Sequence, residues 1–359
     1  MNDSWGNRLK ITLFGESHGE AIGIVIDGLP SGFSIDMDKI NREMKRRAPG
    51  QNKTSTSRKE SDIPRIVSGY FDGKTTGTAL CAIIENTDTK SRDYSDMTKY
   101  IRPGHADFTG MKRYGGFNDY RGGGHFSGRL TAPIVFAGAL VKQILEEKGI
   151  RIFGRVKNIA GIEDDKISYT DLPSDDRYAE AHSREIPALN EAVGELMREA
   201  VLTAKNDGDS VGGVVEVVVK GVHSGVGDPF FDSVESMIAH LAFSIPAVKG
   251  IEFGAGFGMT NMRGSETNDS YVLTEDKSVV TSTNNNGGIL GGITNGMPIV
   301  FRTAIKPTPS ISRPQMTVDV ENMEETKLVV KGRHDPCIVG RVVPVMEAIA
   351  AIAIGELLL

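Results

Sequence analysis

Two histidines in this chain sit in short loops of small residues, a placement suited to proton transfer. His18 lies in Gly15-Glu16-Ser17-His18-Gly19, and His105 lies in Arg102-Pro103-Gly104-His105-Ala106-Asp107. An imidazole at a loop tip titrates near neutral pH and can give or take a proton there. A single such histidine is ordinarily a turn residue bonded to backbone. Two of them, one on a tight Pro-Gly turn, point to an active site. Asp107 is placed either to cap a following helix or to orient the His105 ring. A third loop, Arg121-Gly122-Gly123-Gly124-His125-Phe126-Ser127-Gly128-Arg129, runs into an apolar segment that begins at Thr131. Consecutive glycines before a helix N-terminus make a backbone N–H cradle for an anion, and Arg129 adds a two-pronged guanidinium.

Further segments join this set. Lys306-Pro307-Thr308-Pro309-Ser310 places a cation among hydroxyls, and Gly332-Arg333-His334-Asp335-Pro336 sets a cation, an imidazole and a carboxylate side by side. Each alone reads equally well as a surface turn. Gly287-Gly288-Ile289-Leu290-Gly291-Gly292 marks a close backbone approach, to a cofactor or to another chain. His18, His105, His125 and His334 lack the helical spacing common in metal motifs, so the pattern does not favour a metal site.

The charges are unevenly spread. The formal net charge is -6, so the whole chain does not attract polyanions by bulk electrostatics. Between positions 42 and 65, however, eight basic residues (Arg42, Lys45, Arg46, Arg47, Lys53, Arg58, Lys59, Arg65) accompany three acidic ones (Glu43, Glu60, Asp62). A concentrated positive field calls for an anionic ligand. The same segment has no aromatic residue among its charges, which argues against a nucleic-acid-binding platform. Only two cysteines occur, Cys81 and Cys337. Far apart and without metal-ligand spacing, they exclude a disulfide framework and fit a reducing cytoplasm. The N-terminus has no apolar leader. The apolar stretch from 342 to 359 is broken by Glu347 and Glu356, so it reads as a core helix and not as a membrane span.

Strands and helices alternate between these loops. Ala21 to Asp27 reads as a buried strand. Asp36 caps a helix whose Met37, Ile40 and Met44 share a face, ending before Pro49-Gly50. Ile66 to Phe71 and Thr78 to Ile84 read as strands joined by a Gly/Thr turn. Thr131 to Glu147 is a helix, Arg151 to Val156 a strand, Pro187 to Lys205 a helix, Val214 to Lys220 a strand, Phe231 to Phe243 a helix and Val248 to Phe253 a strand. The last helix begins near Val343. The connections 84–130 and 254–312 are long and poor in periodicity, which marks them as functional or interfacial. With no clean linker, residues 1–359 read as a single intertwined α/β (α+β) unit.

Two glycine motifs are decoys. Gly69 to Thr75 resembles a phosphate-binding P-loop, but it has one residue too few between its glycines and leads into a strand. ATP hydrolysis is thereby disfavoured. Gly254-Ala255-Gly256-Phe257-Gly258-Met259 misses the third glycine of the dinucleotide fingerprint.

Eight segments taken in order resemble chorismate synthase. They are Gly15 to Gly19, Arg46-Arg47 with Pro49-Gly50-Gln51, Gly73 to Gly77, Arg102 to Asp107, Asp119 to Gly124, Gly287 to Gly292, Lys306-Pro307-Thr308, and Gly332 to Cys337. The resemblance covers the chain from about Trp5 to the last helix. It implies a β-α-β sandwich, a cytoplasmic homotetramer, and a lyase that eliminates phosphate from 5-enolpyruvylshikimate 3-phosphate to give chorismate. It also implies reduced FMN, with NADPH serving only as a flavin reductant, or an external flavin reductase doing so. By motif, His18 matches a histidine that protonates the departing phosphate and His105 one that protonates or stabilises reduced flavin. Asp335 matches a carboxylate that relays the C6 proton, with Ser17 and Ser127 lining the site. Arg46, Arg47, Lys53, Arg129 and Arg333 match substrate-binding cations. Flavin contacts fall on His125, Phe126, Ser127, Pro246, Ala247, Gly291, Lys306, Pro307, Thr308, Pro309, Ser310 and Arg333. The chain departs from the family pattern at four of these places. His125-Phe126 replaces Arg-Ser, Lys53 replaces an arginine, Pro246 stands where asparagine is common, and Pro309 interrupts a Thr-Ser-Ser run.

Overall fold

The computed structural model describes residues 3–56, 60–87, 99–330, 332 and 334–359. Two five-stranded antiparallel sheets enclose a helical layer, the sandwich that the resemblance implies. The first sheet contains β1 (Ser4–Trp5), β2 (Lys10–Gly15), β3 (Ala21–Asp27), β4 (Arg65–Ser68) and β5 (Leu80–Glu85), in the order β1-β2-β3-β5-β4. The second contains β6 (Arg151–Ile159), β7 (Ile162–Glu163), β8 (Gly213–Lys220), β9 (Val248–Phe253) and β10 (Ile299–Ile305), in the order β9-β10-β8-β6-β7. The main helices are α1 (Met37–Arg47), α2 (Asp107–Arg113), α3 (Thr131–Glu147), α4 (Asp175–His182), α5 (Glu191–Asn206), α6 (Val234–Ser244) and α7 (Val339–Leu358).

Strand alternation explains the first sheet. Ile22, Ile24 and Ile26 of β3 point inward and are fully buried, and they pair with Ile84, Ala82 and Leu80 of β5. Each such burial contributes roughly 1.5–3 kcal/mol. Helix α3 is buried on nearly all sides from Thr131 to Leu145 because α7, α1 and the first sheet surround it. Residues 128–147 are apolar enough to cross a membrane, yet 89% of their apolar window is buried inside the protein. Helices α3 and α7 cross closely at Gly138. A Cβ there would stand 2.3 Å from Ala348 of α7, so only glycine permits this approach.

A buried ion cluster fixes α7 against its neighbours. Glu347 is fully buried; its carboxylate accepts from both terminal nitrogens of Arg46 (2.8 and 2.9 Å), from Lys142 (2.8 Å) and from the Gly154 N–H (2.8 Å). His182 of α4 stands 3.3 Å away. At the far end of α7, Glu356 accepts from the N–H groups of Asn7, Arg8 and Leu9, the shortest bond being 2.6 Å.

Several boundaries differ from the sequence expectation for local reasons. Helix α5 begins at Glu191, not Pro187, because Asn190 supplies the cap to Val193 N–H while the Pro187 carbonyl accepts from Val156. Helix α6 begins at Val234 because Ser233 caps it, leaving Phe231 outside and exposed. Helix α7 begins four residues before Val343 and accommodates Pro344 in its second turn. The Ile66–Phe71 strand breaks at Gly69, whose φ is +76°, and Tyr70–Phe71 instead forms a small hairpin with Lys74–Thr75. The P-loop look-alike is therefore a strand turn. The largest omission is β10. This strand lies within the supposed loop 254–312 but runs between β8 and β9. Its Ile-Val-Phe-Arg-Thr-Ala-Ile sequence lacks clean alternation because most of it is buried, and Arg302 is ion-paired to Glu252 of β9 at 3.0 Å.

The Glu347 cluster yields a stability prediction. Burial pushes its carboxyl up, but Arg46, Lys142 and His182 together hold it well below the usual carboxylate range. A lowered folded value means the stabilisation is full above the unfolded value, about 4.3, and is lost as pH falls through the lowered one. Glu347→Gln is expected to cost about 3–5 kcal/mol at neutral pH. The deficit, read from urea midpoints, should narrow in strong acid.

Candidate active site

One cavity of about 930 Å³ opens between the two sheets, where the α1 C-terminus, the segment before α3 and the first turns of α7 converge. Its charged lining among the described residues comprises Arg47, Arg102, Arg129, Lys249, Lys306 and Arg341, with Asp3, Glu60 and Asp335. Six cations against three carboxylates give this lining an excess of positive charge.

His105 reaches the cavity on the Pro103-Gly104 turn. Its Nδ1 lies 2.6 Å from Asp107 Oδ1, and Asp107 also accepts from Arg102 Nε (2.7 Å) and Nη2 (2.6 Å). Burial pushes the Asp107 carboxyl up, but the hydrogen bonds from Arg102 and His105 outweigh it and hold it well below the carboxylate range. Asp107 is thus an ionised acceptor, and His105 Nδ1–H donates to it. Arg102 Nη2 also stands 3.1 Å from this nitrogen, and the ring with its proton on Nδ1 presents Nε2 as an acceptor. Of the two roles open to Asp107, the ring-orienting one holds: it begins α2, whose N-cap has no side-chain hydrogen bond. Arg102 also donates to the Gly122 carbonyl at 2.8 Å, tying this turn to the glycine loop.

Ser17 and His18 lie behind that loop and do not line the cavity. Both are buried; Ser17 Oγ is 3.0 Å from His18 Nδ1, and the Ser17 N–H donates to the Gly124 carbonyl at 3.1 Å. Gly122 has φ +66°, and a Cβ on it would stand 2.3 Å from His18 Cε1. The glycines therefore let backbone pass over an imidazole. They do not form a helix N-terminal cradle as expected, because two short 3-10 turns, Gly124–Phe126 and Gly128–Leu130, intervene before α3.

The arginines form a continuous array. Arg47 Nη1 donates to Asp62 Oδ2 at 2.8 Å, and Arg129 Nη1 donates to the other oxygen of the same carboxylate. Arg341 Nε donates to the Arg47 carbonyl at 3.0 Å, and its Nη1 donates to Asp335 Oδ2 at 2.6 Å. Asp335 Oδ1 accepts from the Thr56 N–H at 2.8 Å. Burial pushes the Arg47 guanidinium down to about 10, against the pull of Asp62 and with Arg341 and Arg129 adding repulsion.

The opposite wall combines apolar surface with two lysines. Pro246 and Ala247 precede β9, and Lys306 follows β10; the Lys306 N–H donates to the Ala247 carbonyl at 2.9 Å. Lys306 Nζ donates to the Gly104 carbonyl. Burial, then the like charge of Lys249, lowers its pKa. His125 donates from Nδ1 to the Gly15 carbonyl at 2.9 Å, and its Nε2 lies 3.3 Å from Asp3. Phe126 packs against Tyr114, with ring centres 6.1 Å apart.

The cavity thus gathers His105, Ser127, Arg47, Arg129, Asp335, His125, Phe126, Pro246, Ala247, Lys306, Thr308, Pro309 and Ser310. Other candidates lie elsewhere. Arg46 points into the Glu347 cluster, its charge already matched by buried carboxylates. Lys53 is exposed, and its carbonyl accepts from Lys205. Pro307 is exposed beside its lining neighbours. Gly291 is exposed at the tip of the Ile289–Leu290/Ile293–Thr294 hairpin; the close approach in that run, at Gly287 and Gly288, is to Gly254 and Pro298 of the same chain. Arg333 lies outside the described residues. Sequence reasoning missed Arg102, Lys249 and Arg341 as site residues, and counted Asp62 only as a charge. Arg102 alone carried a signal, its place in the His105 motif.

The family model described as chorismate synthase matches residues 9–359. A chorismate synthase of Thermococcus kodakarensis is 47% identical over 354 residues, covering 99% of this chain and 97% of the relative. That of Dehalococcoides mccartyi is 44% identical, covering 100% of this chain and 97% of its own. A crystal structure of chorismate synthase superposes with a TM-score of 0.77 at 28% identity, covering 98% of this chain and 92% of that one. The chain belongs to the chorismate synthase family of lyases.

Proposed function

We propose that the protein catalyses the FMN-dependent 1,4-anti elimination of phosphate from 5-enolpyruvylshikimate 3-phosphate, giving chorismate in the shikimate pathway. The observation that carries this reading is a single cavity holding an arginine array, a carboxylate-oriented histidine and a lysine pair. Its volume lies near the top of the range for ligand pockets, about 300–1,000 Å³, in keeping with a substrate and a cofactor bound together. The residues fit FMN: the apolar Ile245–Val248 wall suits a planar ring, and Lys249 and Lys306 suit its phosphate. Held there in reduced form, FMN would supply electron density to the reacting ring and take it back, which is the chemistry the side chains cannot provide.

The chain's own groups do the rest. Arg47, Arg129 and Arg341 neutralise the substrate's phosphate and carboxylates. Asp335, held by Thr56 N–H and Arg341, keeps lone pairs to receive the proton released from C6. His105 Nε2 donates toward the cofactor, while Asp107 stabilises the imidazolium. His18, directly behind the Gly122–Gly123 backbone, is the imidazole assigned to protonate the departing phosphate. The C3–O pair leaves with phosphate, the existing ring double bond shifts toward C3, and the C6–H pair becomes the second ring double bond as the proton leaves, so there is no net redox change. The same reading carries a cytoplasmic homotetramer and a single catalytic unit, with flavin reduced by NADPH or by a separate reductase.

Two measurements test this. Purified protein with substrate, FMN and dithionite under anaerobic conditions should release phosphate and chorismate together; release no faster than a no-enzyme control overturns the reading. Asp107→Asn should fold normally and lower kcat on the order of 10²-fold, approaching the loss in His105→Ala. Near-native turnover in both variants would remove His105 from the mechanism, and near-native turnover in His18→Ala would remove His18.

A further inference from the structure

We infer that Asp62 is a resident counter-anion that occupies the arginine array before substrate arrives and yields its place to a substrate anion. The inference rests on the proposed reaction only in naming which anion displaces it. Asp62 is 1% exposed, and its two oxygens bridge different arginines instead of pairing with one. Both guanidinium groups face the cavity. Arg129 also donates to the Asn86 side chain at 2.9 Å and the Glu85 carbonyl at 3.2 Å, and its Nη2 stands 3.9 Å from Glu60, which makes no ion pair with Arg47 among the described residues. Asp62 is therefore the carboxylate bonded to both Arg47 and Arg129. Without it, Arg47, Arg129 and nearby Arg341 would be close together in a poorly hydrated wall, where like charges repel strongly.

Two observations separate this role from that of an ordinary buried ion pair. Asp62 holds a left-handed backbone, φ 49°, an uncommon conformation for a residue other than glycine and one that costs energy unless its surroundings enforce it. Second, the segment 60–63 is a partition: Glu60 lines both the main cavity and a second cavity of about 370 Å³, which Ser61, Asp62 and Ile63 also line. A carboxylate pushed off the arginines thus has space beside it. Phosphate or carboxylate oxygens from the substrate can take over the same N–H groups, so the array remains matched in both states and the guanidiniums need not reorganise.

The test uses inorganic phosphate as the probe and calorimetry as the readout, with chloride at equal ionic strength as the reference. Asp62→Asn removes the competing charge while keeping the shape. It should bind phosphate more tightly than the unsubstituted protein, on the order of tenfold. Its melting temperature should be lower in chloride and rise more steeply with phosphate. Equal affinities and parallel melting curves would overturn the inference, leaving Asp62 a structural residue. Should the variant not fold in chloride, refolding in phosphate decides: recovery of folded protein supports the inference, and no recovery overturns it. Neither readout involves turnover. Affinity gain without chorismate formation would fail the proposed reaction alone, and turnover without affinity gain would fail the counter-anion alone.

Discussion

The burial of one carboxylate organises the molecule. Glu347 sits in the middle of α7 with no exposure to solvent, and its oxygens draw Arg46 from α1, Lys142 from α3 and a backbone N–H from β6 to one point. A buried charge with a missing partner is costly, so all these elements are obliged to arrive together. The next residue, Ala348, meets Gly138 at the helix crossing. The ion cluster fixes the rotation of α7 and the glycine fixes its depth. Arg341 lies six residues earlier on the same helix, about 9 Å along its axis, so the position of this cavity-lining cation is inherited from the cluster.

Helix ends deliver the rest of the site. Arg47 closes α1, Arg129 lies just before α3, and Arg341 is in the first turn of α7. These three helices pack through a common apolar layer, which places their ends near one another without any loop having to be rigid alone. The histidines are held differently. His105 depends on a carboxylate and Arg102, and His18 depends on a backbone that lacks side chains at Gly122. Polar support holds one histidine, and the absence of a Cβ makes room for the other.

Elements with strong periodicity were legible in the sequence. Strand β3, helix α1 with its Asp36 cap, α3 and β9 fall where alternation and capping place them. Strand β10 was not legible, because a mostly buried strand carries no polar-apolar alternation and its Arg302 disguises the apolar run. Adjacent Arg46 and Arg47 show the limit for the site. Consecutive residues on a helix point about 100° apart, so one faces the Glu347 cluster and the other the cavity. Nothing in the dipeptide distinguishes them. Arg341 and Asp62 become site residues only through contacts made across the fold.

The last turn of α7 has a consequence for how the cavity is built. Glu356 supplies the acceptor for three successive N–H groups at Asn7, Arg8 and Leu9, just beyond the strand whose Ser4 and Trp5 line the cavity. Those donors wait through the synthesis of nearly 350 residues. Order of synthesis and order of assembly therefore run in opposite directions at this edge. A growing chain carries an unfinished cavity rim, and the rim's anchoring is completed only when the helix bearing Glu356 has been made.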